Sequence, residues 1–315
     1  MTKSRILQIG PLGGTPGADA HLTQNYDILA YWQAEDKAAI LADAKDVEMI
    51  VTSAGAGCTA AIMRALPNLK VICNWGVGYD SIDIDAATAL NVKVTNTPEV
   101  LNDCVADEAM GLMIAAARRI AQGDQFVRAN EWENKKDLPL GTRVSGKNLG
   151  IVGLGRIGMV IAKRASGFDM NIQYFNRNKR DDVTFEKADS LVDLAKWSDF
   201  LMVATVGGSQ TKALINAEVM RALGPKGILI NIARGPVVDE TAMTQLLASG
   251  ELGGAALDVF EHEPTVPDAL KRMPHVVLMP HQASATHETR QAMFELVLEN
   301  IQAYFAGKPL LTAVN

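Results

Sequence analysis

Leu149-Gly150-Ile151-Val152-Gly153-Leu154-Gly155-Arg156-Ile157-Gly158 carries a short apolar run straight into a Gly-x-Gly-x-x-Gly turn. The residues that follow place Ile157, Val160, Ile161 and Ala165 on one helical face, and Asn171–Phe175 then reads as a second strand. In such a turn the first glycine permits the bend and the second lets a pyrophosphate approach the backbone. The third lets helix pack closely on strand, while the helix N-terminus offers amide donors to phosphate. Strand, turn, helix and second strand occur in the order a dinucleotide site requires. The other glycine cluster, Gly10-Pro11-Leu12-Gly13-Gly14, lacks the spacing and puts Pro11 where an amide is needed, so it reads as a plain loop.

The same alternation extends over the whole chain. Strand-like runs are Arg5–Ile9, Glu48–Thr52, Lys70–Asn74 and Val92–Thr95, then Asn148–Val152, Asn171–Phe175, Asp199–Ala204, Gly227–Ile232, Gly254–Val259 and His275–Met279. Most are continuously apolar, as in strands covered on both faces, and helical patterns separate them. The fold class is therefore α/β, with doubly wound parallel sheets. From Asn102 a helix is expected with Val105, Ala109, Leu112, Met113, Ala116 and Ile120 on one stripe, acids in its early turns and Arg118-Arg119 near its end. A second helix follows a cap at Thr286 and carries Met293, Leu296, Val297, Ile301, Tyr304 and Phe305. Residues 125–147 are polar and read as an exposed arm.

The 315 residues are room for about two domains. A net charge of −6, from 30 Lys and Arg against 36 Asp and Glu, argues against a nucleic-acid or membrane-surface binder. Cys58, Cys73 and Cys104 are an odd set without C-x-x-C spacing, which points away from a disulfide or zinc framework and toward a reducing compartment. With no signal-peptide pattern and no apolar run near the ~20 residues of a membrane span, the expectation is a cytoplasmic protein.

A dinucleotide site of this kind usually has an acid at the end of its second strand, bound to the ribose 2′-hydroxyl of NAD. Here Asn171–Phe175 is followed by Asn176-Arg177-Asn178-Lys179-Arg180. A neutral Asn176 does not repel a 2′-phosphate, and Arg177 can pair with one, so the cofactor expected is NADP(H).

Three polar groups stand at C-terminal ends of expected strands, where open α/β sheets hold their ligands. Arg234 follows Asn231-Ile232-Ala233, Glu263 follows Asp258-Val259-Phe260-Glu261-His262, and His281 follows Met279-Pro280. Each alone has a plain structural reading. Together they fit hydride transfer to a 2-oxo acid: Arg clamps the carboxylate and polarises the carbonyl, His gives a proton to the developing alkoxide, and a carboxylate beside His favours the imidazolium. His275 opens a strand and His287 a helix, and His262 is expected to point away; no His pair has H-E-x-x-H spacing, so no metal site is expected. Early in the chain, Val77 and Gly78 within Asn74-Trp75-Gly76-Val77-Gly78-Tyr79-Asp80 can present backbone N–H groups to a carboxylate. Ala54 and Gly55, after the preceding strand, are similarly small.

These residues resemble the D-isomer-specific 2-hydroxyacid dehydrogenases over nearly the full chain. The resemblance rests on Val77–Asp83, Val94–Pro98, Val105-Ala106-Asp107, Gly153–Gly158, Asn231–Gly235 with Val238-Asp239-Glu240, Leu257–Phe260 with Glu263-Pro264, and Pro280-His281 with Ser284-Ala285-Thr286. Glu288-Thr289-Arg290 and Lys308–Thr312 are most like the NADPH-preferring glyoxylate/hydroxypyruvate reductase branch, which includes hydroxyphenylpyruvate reductases. The resemblance implies a Rossmann dinucleotide domain over residues 99–285 and a smaller, flavodoxin-like substrate domain from 1–98 and 286–315, with the active site in the cleft and closure excluding water. It implies Arg234 on the substrate carboxylate and carbonyl, His281 as general acid/base and Glu263 as its partner. Asp258 would hold the nicotinamide carboxamide, Arg156 and Ile157 the pyrophosphate, and Thr205, Ala233 and Ser284 would complete the cofactor set. It also implies a homodimer, in which Trp132 on the arm either shapes the partner's pocket or packs the interface.

Two departures stand out. Gln282-Ala283 replaces the x-Gly that often follows the catalytic His, and Thr205–Thr211 is looser than the usual Pro-containing loop. The favoured reading is NADPH-dependent reduction of small 2-oxo acids to D-2-hydroxy acids. An NAD-linked dehydrogenase and a non-catalytic dinucleotide-sensing scaffold on the same fold are the alternatives, the second requiring Arg234, Glu263 and His281 to be relics.

Overall fold

A computed structural model describes residues 3–315. The chain forms two compact units, one from the segment up to Leu101 with Ser284–Asn315, the other Asn102–Ala283. Each is built on a parallel sheet.

The first unit contains β1 (Arg5–Gln8), β2 (Asp27–Ala30), β3 (Met49–Ser53), β4 (Val71–Trp75) and β5 (Lys93–Thr95), in the order β2-β1-β3-β4-β5 with every pairing parallel. That is the flavodoxin-like order 2-1-3-4-5. β3 and β4 lie centrally and are almost wholly buried, which their continuous apolar sequence anticipates. Leu7, Ile50, Ile72, Val94, Met63 and Leu66 form part of one core cluster. The helix His287–Phe305 is capped by the Thr286 hydroxyl, which accepts the Thr289 N–H at 3.2 Å. It belongs to this unit, and Met293, Phe294 and Val297 on it are buried. The chain end returns along β5, with Val314 N–H donating to Val94 O at 2.8 Å.

The second unit contains β6 (Asn148–Val152), β7 (Asn171–Phe175), β8 (Glu186–Lys187), β9 (Phe200–Val203), β10 (Ile228–Asn231), β11 (Gly254–Leu257) and β12 (Val276–Leu278). Its order is β12-β11-β10-β9-β6-β7-β8, again wholly parallel. Counted from β6 this is the doubly wound Rossmann order with one added strand, and the chain reverses direction across the sheet between β6 and β9. Ligands of such sheets bind at that switch, outside the strand C-termini.

Two strands escape the sequence reading, β2 and β8. Both are edge strands, short and only half-covered, so neither presents a continuous apolar run. The helix from Asn102 ends at Arg118, and Arg119 is left-handed at φ 55°. A new helix, Ile120–Arg128, starts out of phase, so Ile120 leaves the expected stripe and is exposed, and the polar arm begins after Arg128 rather than at Gln125. The stop has a local cause. The returning chain packs on the helix end, where Ala117 O accepts the Thr142 N–H at 2.7 Å and a side chain at Gly141 would lie 2.7 Å from that same oxygen. Among the described residues no helix is long and apolar enough to cross a membrane.

Candidate active site

The turn between β6 and the helix Arg156–Ser166 gives its three glycines different jobs. Gly153 has φ 97°, and a Cβ there would lie 2.7 Å from the Thr205 backbone, so the turn passes against the loop after β9. A Cβ at Gly158 would lie 2.4 Å from Gly153 O, which sets how closely the helix approaches its strand. Gly155 meets nothing within 4 Å, and as helix N-cap it supplies no side-chain cap. The position beside Gly155 at the helix N-terminus is therefore open, while Gly153 and Gly158 are tightly enclosed. A helix N-terminus with an open glycine beside it is the kind of place where a diphosphate can approach the backbone.

Beyond β7, Asn176 bridges back to this turn. Its Oδ1 accepts the Leu154 N–H at 2.7 Å and its Nδ2 donates to Leu154 O at 3.4 Å. Arg177 and Asn178 are exposed, and Arg177 hydrogen-bonds Gln210 of the 3₁₀ turn after β9. Arg180, in the same basic run, is fixed more firmly. Its Nη1 donates to Leu154 O at 3.0 Å, its Nε to Asp182 at 2.9 Å, and its N–H to the Tyr174 hydroxyl at 3.0 Å. Three side chains of this basic loop thus converge on the rim of the glycine turn and the loop after β9.

The C-terminal ends of β10, β11 and β12 carry the other group. β10 ends at buried Asn231, whose side chain accepts the Ala233 N–H at 3.0 Å and donates to Arg234 O at 3.1 Å. Arg234 Nη1 donates to Ala233 O at 2.7 Å. A Cβ on Gly235 would lie 1.9 Å from the Phe260 carbonyl, so only glycine brings the Arg234 loop against Phe260–Glu263. Glu263 Oε1 accepts the Phe260 N–H at 3.0 Å, and Oε2 lies 2.6 Å from His281 Nδ1. Burial pushes the Glu263 carboxyl up. The hydrogen bonds from His281 and Phe260, with the charges of His281 and Arg234, outweigh it and hold the group below the usual carboxylate range. An ionised carboxylate only accepts, so His281 Nδ1 carries the proton and Nε2 is left for another partner.

Asp258, fully buried at the end of β11, holds the turn that carries His281. Its carbonyl accepts the His281 N–H at 2.8 Å, and its carboxylate accepts Gln282 N–H at 2.6 Å and Ala283 N–H at 3.0 Å. His281 itself is left-handed, at φ 54°. Glu108, on the helix Asn102–Arg118, hydrogen-bonds Asp258. Sequence reasoning passed over Glu108, and its signal is slight: an acid directly before the buried stripe position Ala109.

In the first unit, Ala54 and Gly55 form the turn after β3, and Val77 and Gly78 the loop after β4. Asn74 Nδ2 donates to Gly76 O at 3.1 Å and Gly78 O at 2.9 Å, and Asn96 Nδ2 to Val77 O at 2.9 Å. Three successive carbonyls, of Gly76, Val77 and Gly78, are thereby tied to side chains. Ser284 opens the returning segment of this unit. Trp132 lies on the arm of the second unit and is 71% exposed.

A sequence profile described as D-isomer specific 2-hydroxyacid dehydrogenase, NAD binding domain, matches residues 110–283. The chain is 45% identical over 297 residues to hydroxyphenylpyruvate reductase of Plectranthus scutellarioides, covering 94% of this chain and 95% of that protein. It is also 45% identical over 294 residues to glyoxylate/hydroxypyruvate reductase A of Arabidopsis thaliana, covering 93% and 94%. Among solved structures, the NADPH-dependent glyoxylate/hydroxypyruvate reductase of Sinorhizobium meliloti, in complex with NADP and malonate, superposes with a TM-score of 0.91 at 38% identity, covering 99% of this chain and 97% of that one.

Proposed function

The chain belongs to the D-isomer specific 2-hydroxyacid dehydrogenase family, and from that premise we propose that it reduces small 2-oxo acids to D-2-hydroxy acids with NADPH. Glyoxylate, hydroxypyruvate and phenylpyruvates are the proposed substrates, after the names of the relatives. The observation that carries the reading is the 2.6 Å contact of Glu263 with His281, in the same unit as the open glycine turn.

Gly153, Gly155 and Gly158, with the Arg156 and Ile157 amides, would hold the cofactor's diphosphate, with Thr205 and Ala233 on the neighbouring loops; the chemistry it would supply there is a hydride for the substrate's carbonyl carbon. Arg234 binds the substrate carboxylate and draws charge toward the carbonyl oxygen. His281 Nε2 gives that oxygen its proton, while Nδ1 remains bonded to Glu263, which stabilises the imidazolium before transfer. Val77 and Gly78 N–H groups, with Ala54 and Gly55, are proposed as further carboxylate contacts, and Ser284 as a cofactor contact.

NADPH is the proposed donor because the position after β7 is Asn176 rather than an acid, with Arg177 and Arg180 beside it. A cation pair there favours a 2′-phosphate, and a carboxylate would oppose it. The proposal includes a cytoplasmic homodimer. Leu140 is 93% exposed and Val127 and Trp132 are exposed with it on the arm and its preceding helix, an apolar surface that suits a second copy of the chain.

The test follows loss of reduced-nicotinamide absorbance with glyoxylate, hydroxypyruvate and phenylpyruvate, each with NADPH and NADH. Turnover favouring NADPH is expected, and the substrate ranking sizes the pocket. Absence of turnover with every pair, in protein that binds cofactor, overturns the reading in favour of a sensing scaffold.

A further inference from the structure

One carboxyl group near the site has no part in the chemistry above. Glu108 Oε1 is buried and meets no donor, and the side chain's hydrogen-bond partner is another carboxyl group, Asp258. Two carboxyl groups share a hydrogen bond only when one of them carries a proton. Both oxygens of Asp258 already accept backbone N–H groups, from Gln282 and Ala283, which leaves Glu108 as the donor of the pair. The proton therefore sits on Glu108. Burial, then the charge of Asp258 and the bond to it, push the Glu108 carboxyl up to about 8.

The surrounding charges leave this pair to itself. On its own helix, Asp103 and Asp107 are paired with Arg164 of the helix Arg156–Ser166, which also carries Arg156 and Lys163. On the helix Ile120–Arg128, Asp124 is paired with Arg128. Arg234 follows β10 and His281 follows β12. Only Asp258, after β11, perturbs Glu108 among the described residues.

Asp258 is also what holds the His281 turn. Its carbonyl takes the His281 N–H and its carboxylate the next two, which keeps His281 in a left-handed conformation that a residue with a side chain seldom adopts. We propose that Glu108 is a positioning residue: as a neutral acid it donates to Asp258 and so fixes the carboxylate that clamps His281, Gln282 and Ala283 and aims the imidazole at Glu263. Its consequence for turnover rests on the proposed role of His281, whereas the clamp is measurable without it.

Glu108→Gln keeps a donor for Asp258 and removes the titrating proton; Glu108→Leu removes both. At pH 7, E108Q is expected to keep kcat within about threefold of wild type. E108L is expected to lose about tenfold in kcat, since a misdirected acid slows proton transfer. A purely structural role would not be rescued by the amide.

Thermal unfolding supplies the second readout. The folded protein holds this proton more tightly than the unfolded chain, so its stabilisation is complete below about 4.5 and is lost as the pH rises to about 8. E108Q lacks that loss, so its melting temperature should gain on wild type between pH 5 and 8 and level off above. Loss of kcat in E108Q as large as in E108L overturns the proposal, as do parallel melting curves for E108Q and wild type from pH 5 to 9. Should E108L not fold, E108Q against wild type decides. If wild type reduces no 2-oxo acid the functional reading fails, and the melting comparison still decides the clamp.

Discussion

Glu263 Oε2 lies 2.6 Å from His281 Nδ1, while the other oxygen of the same carboxylate accepts the Phe260 N–H at 3.0 Å. The acid is thus anchored to the backbone on one side and orients the imidazole on the other. His281→Asn keeps a donor in this space but cannot pass a proton, so turnover should fall by at least ~10²-fold. NADPH affinity, measured by quenching or enhancement of cofactor fluorescence, should stay within about threefold, because the glycine turn is untouched. Near-normal turnover would remove His281 from the mechanism.

Glu263 makes a separate prediction on acid stability. Its folded-state carboxyl is held below the ordinary value of 4.5, so the pair stabilises the protein above that value and the stabilisation disappears as the pH falls below it. Glu263→Gln should therefore melt below wild type at pH 7 and approach it toward pH 3. A constant gap in melting temperature across that range would show that the ionised carboxylate contributes nothing to folding. The side chain is about one-third exposed, so the gap should be small.

Gly155 and Gly158 sit three residues apart and should respond oppositely to alanine. At Gly155 the added methyl enters open space, whereas at Gly158 it would lie 2.4 Å from Gly153 O. Gly155→Ala should melt with wild type and bind NADPH at least about tenfold more weakly, since the methyl occupies the phosphate approach. Gly158→Ala should cost about 2–4 kcal/mol of stability, because a backbone atom cannot step aside as a side chain can. Equal melting temperatures for the two variants would refute this division.

That division was open to sequence reasoning because a Gly-x-Gly-x-x-Gly turn between a strand and a helix constrains the backbone at known positions. The positions of Arg234, Glu263 and His281 beyond the ends of β10, β11 and β12 were legible for a similar reason, since each follows an apolar run. What stayed hidden depends on contacts far apart in sequence. β2 and β8 are strands only because β1 and β7 offer them an edge. The break at Arg119 follows from Thr142 returning to Ala117, and no propensity marks it. Glu108 reads as one more acid in a helical turn, and only the arrival of Asp258, 150 residues later, gives it a proton to hold. Arg180 is likewise an ordinary member of a basic run until its guanidinium reaches Leu154 O.

Cofactor choice should turn on Asn176, Arg177 and Arg180. Asn176 accepts the Leu154 N–H at 2.7 Å, a bond an aspartate keeps, so Asn176→Asp should leave the turn intact. It forfeits only the weaker 3.4 Å contact from Nδ2 to Leu154 O. The new carboxylate repels a 2′-phosphate and accepts from a 2′-hydroxyl, so kcat/KM should fall about tenfold or more for NADPH and hold or rise for NADH. Arg177→Ala removes an exposed cation whose present partner is Gln210, and should raise KM for NADPH about three- to tenfold, more at low salt, with NADH unchanged. Arg180 differs because it also braces Leu154 O and Asp182, so Arg180→Ala should weaken both cofactors along with the selective loss. Steady-state kinetics with both cofactors at two ionic strengths separates the three. Equal losses for NADPH and NADH in Arg177→Ala, or an unchanged preference in Asn176→Asp, would take the 2′-phosphate away from this loop.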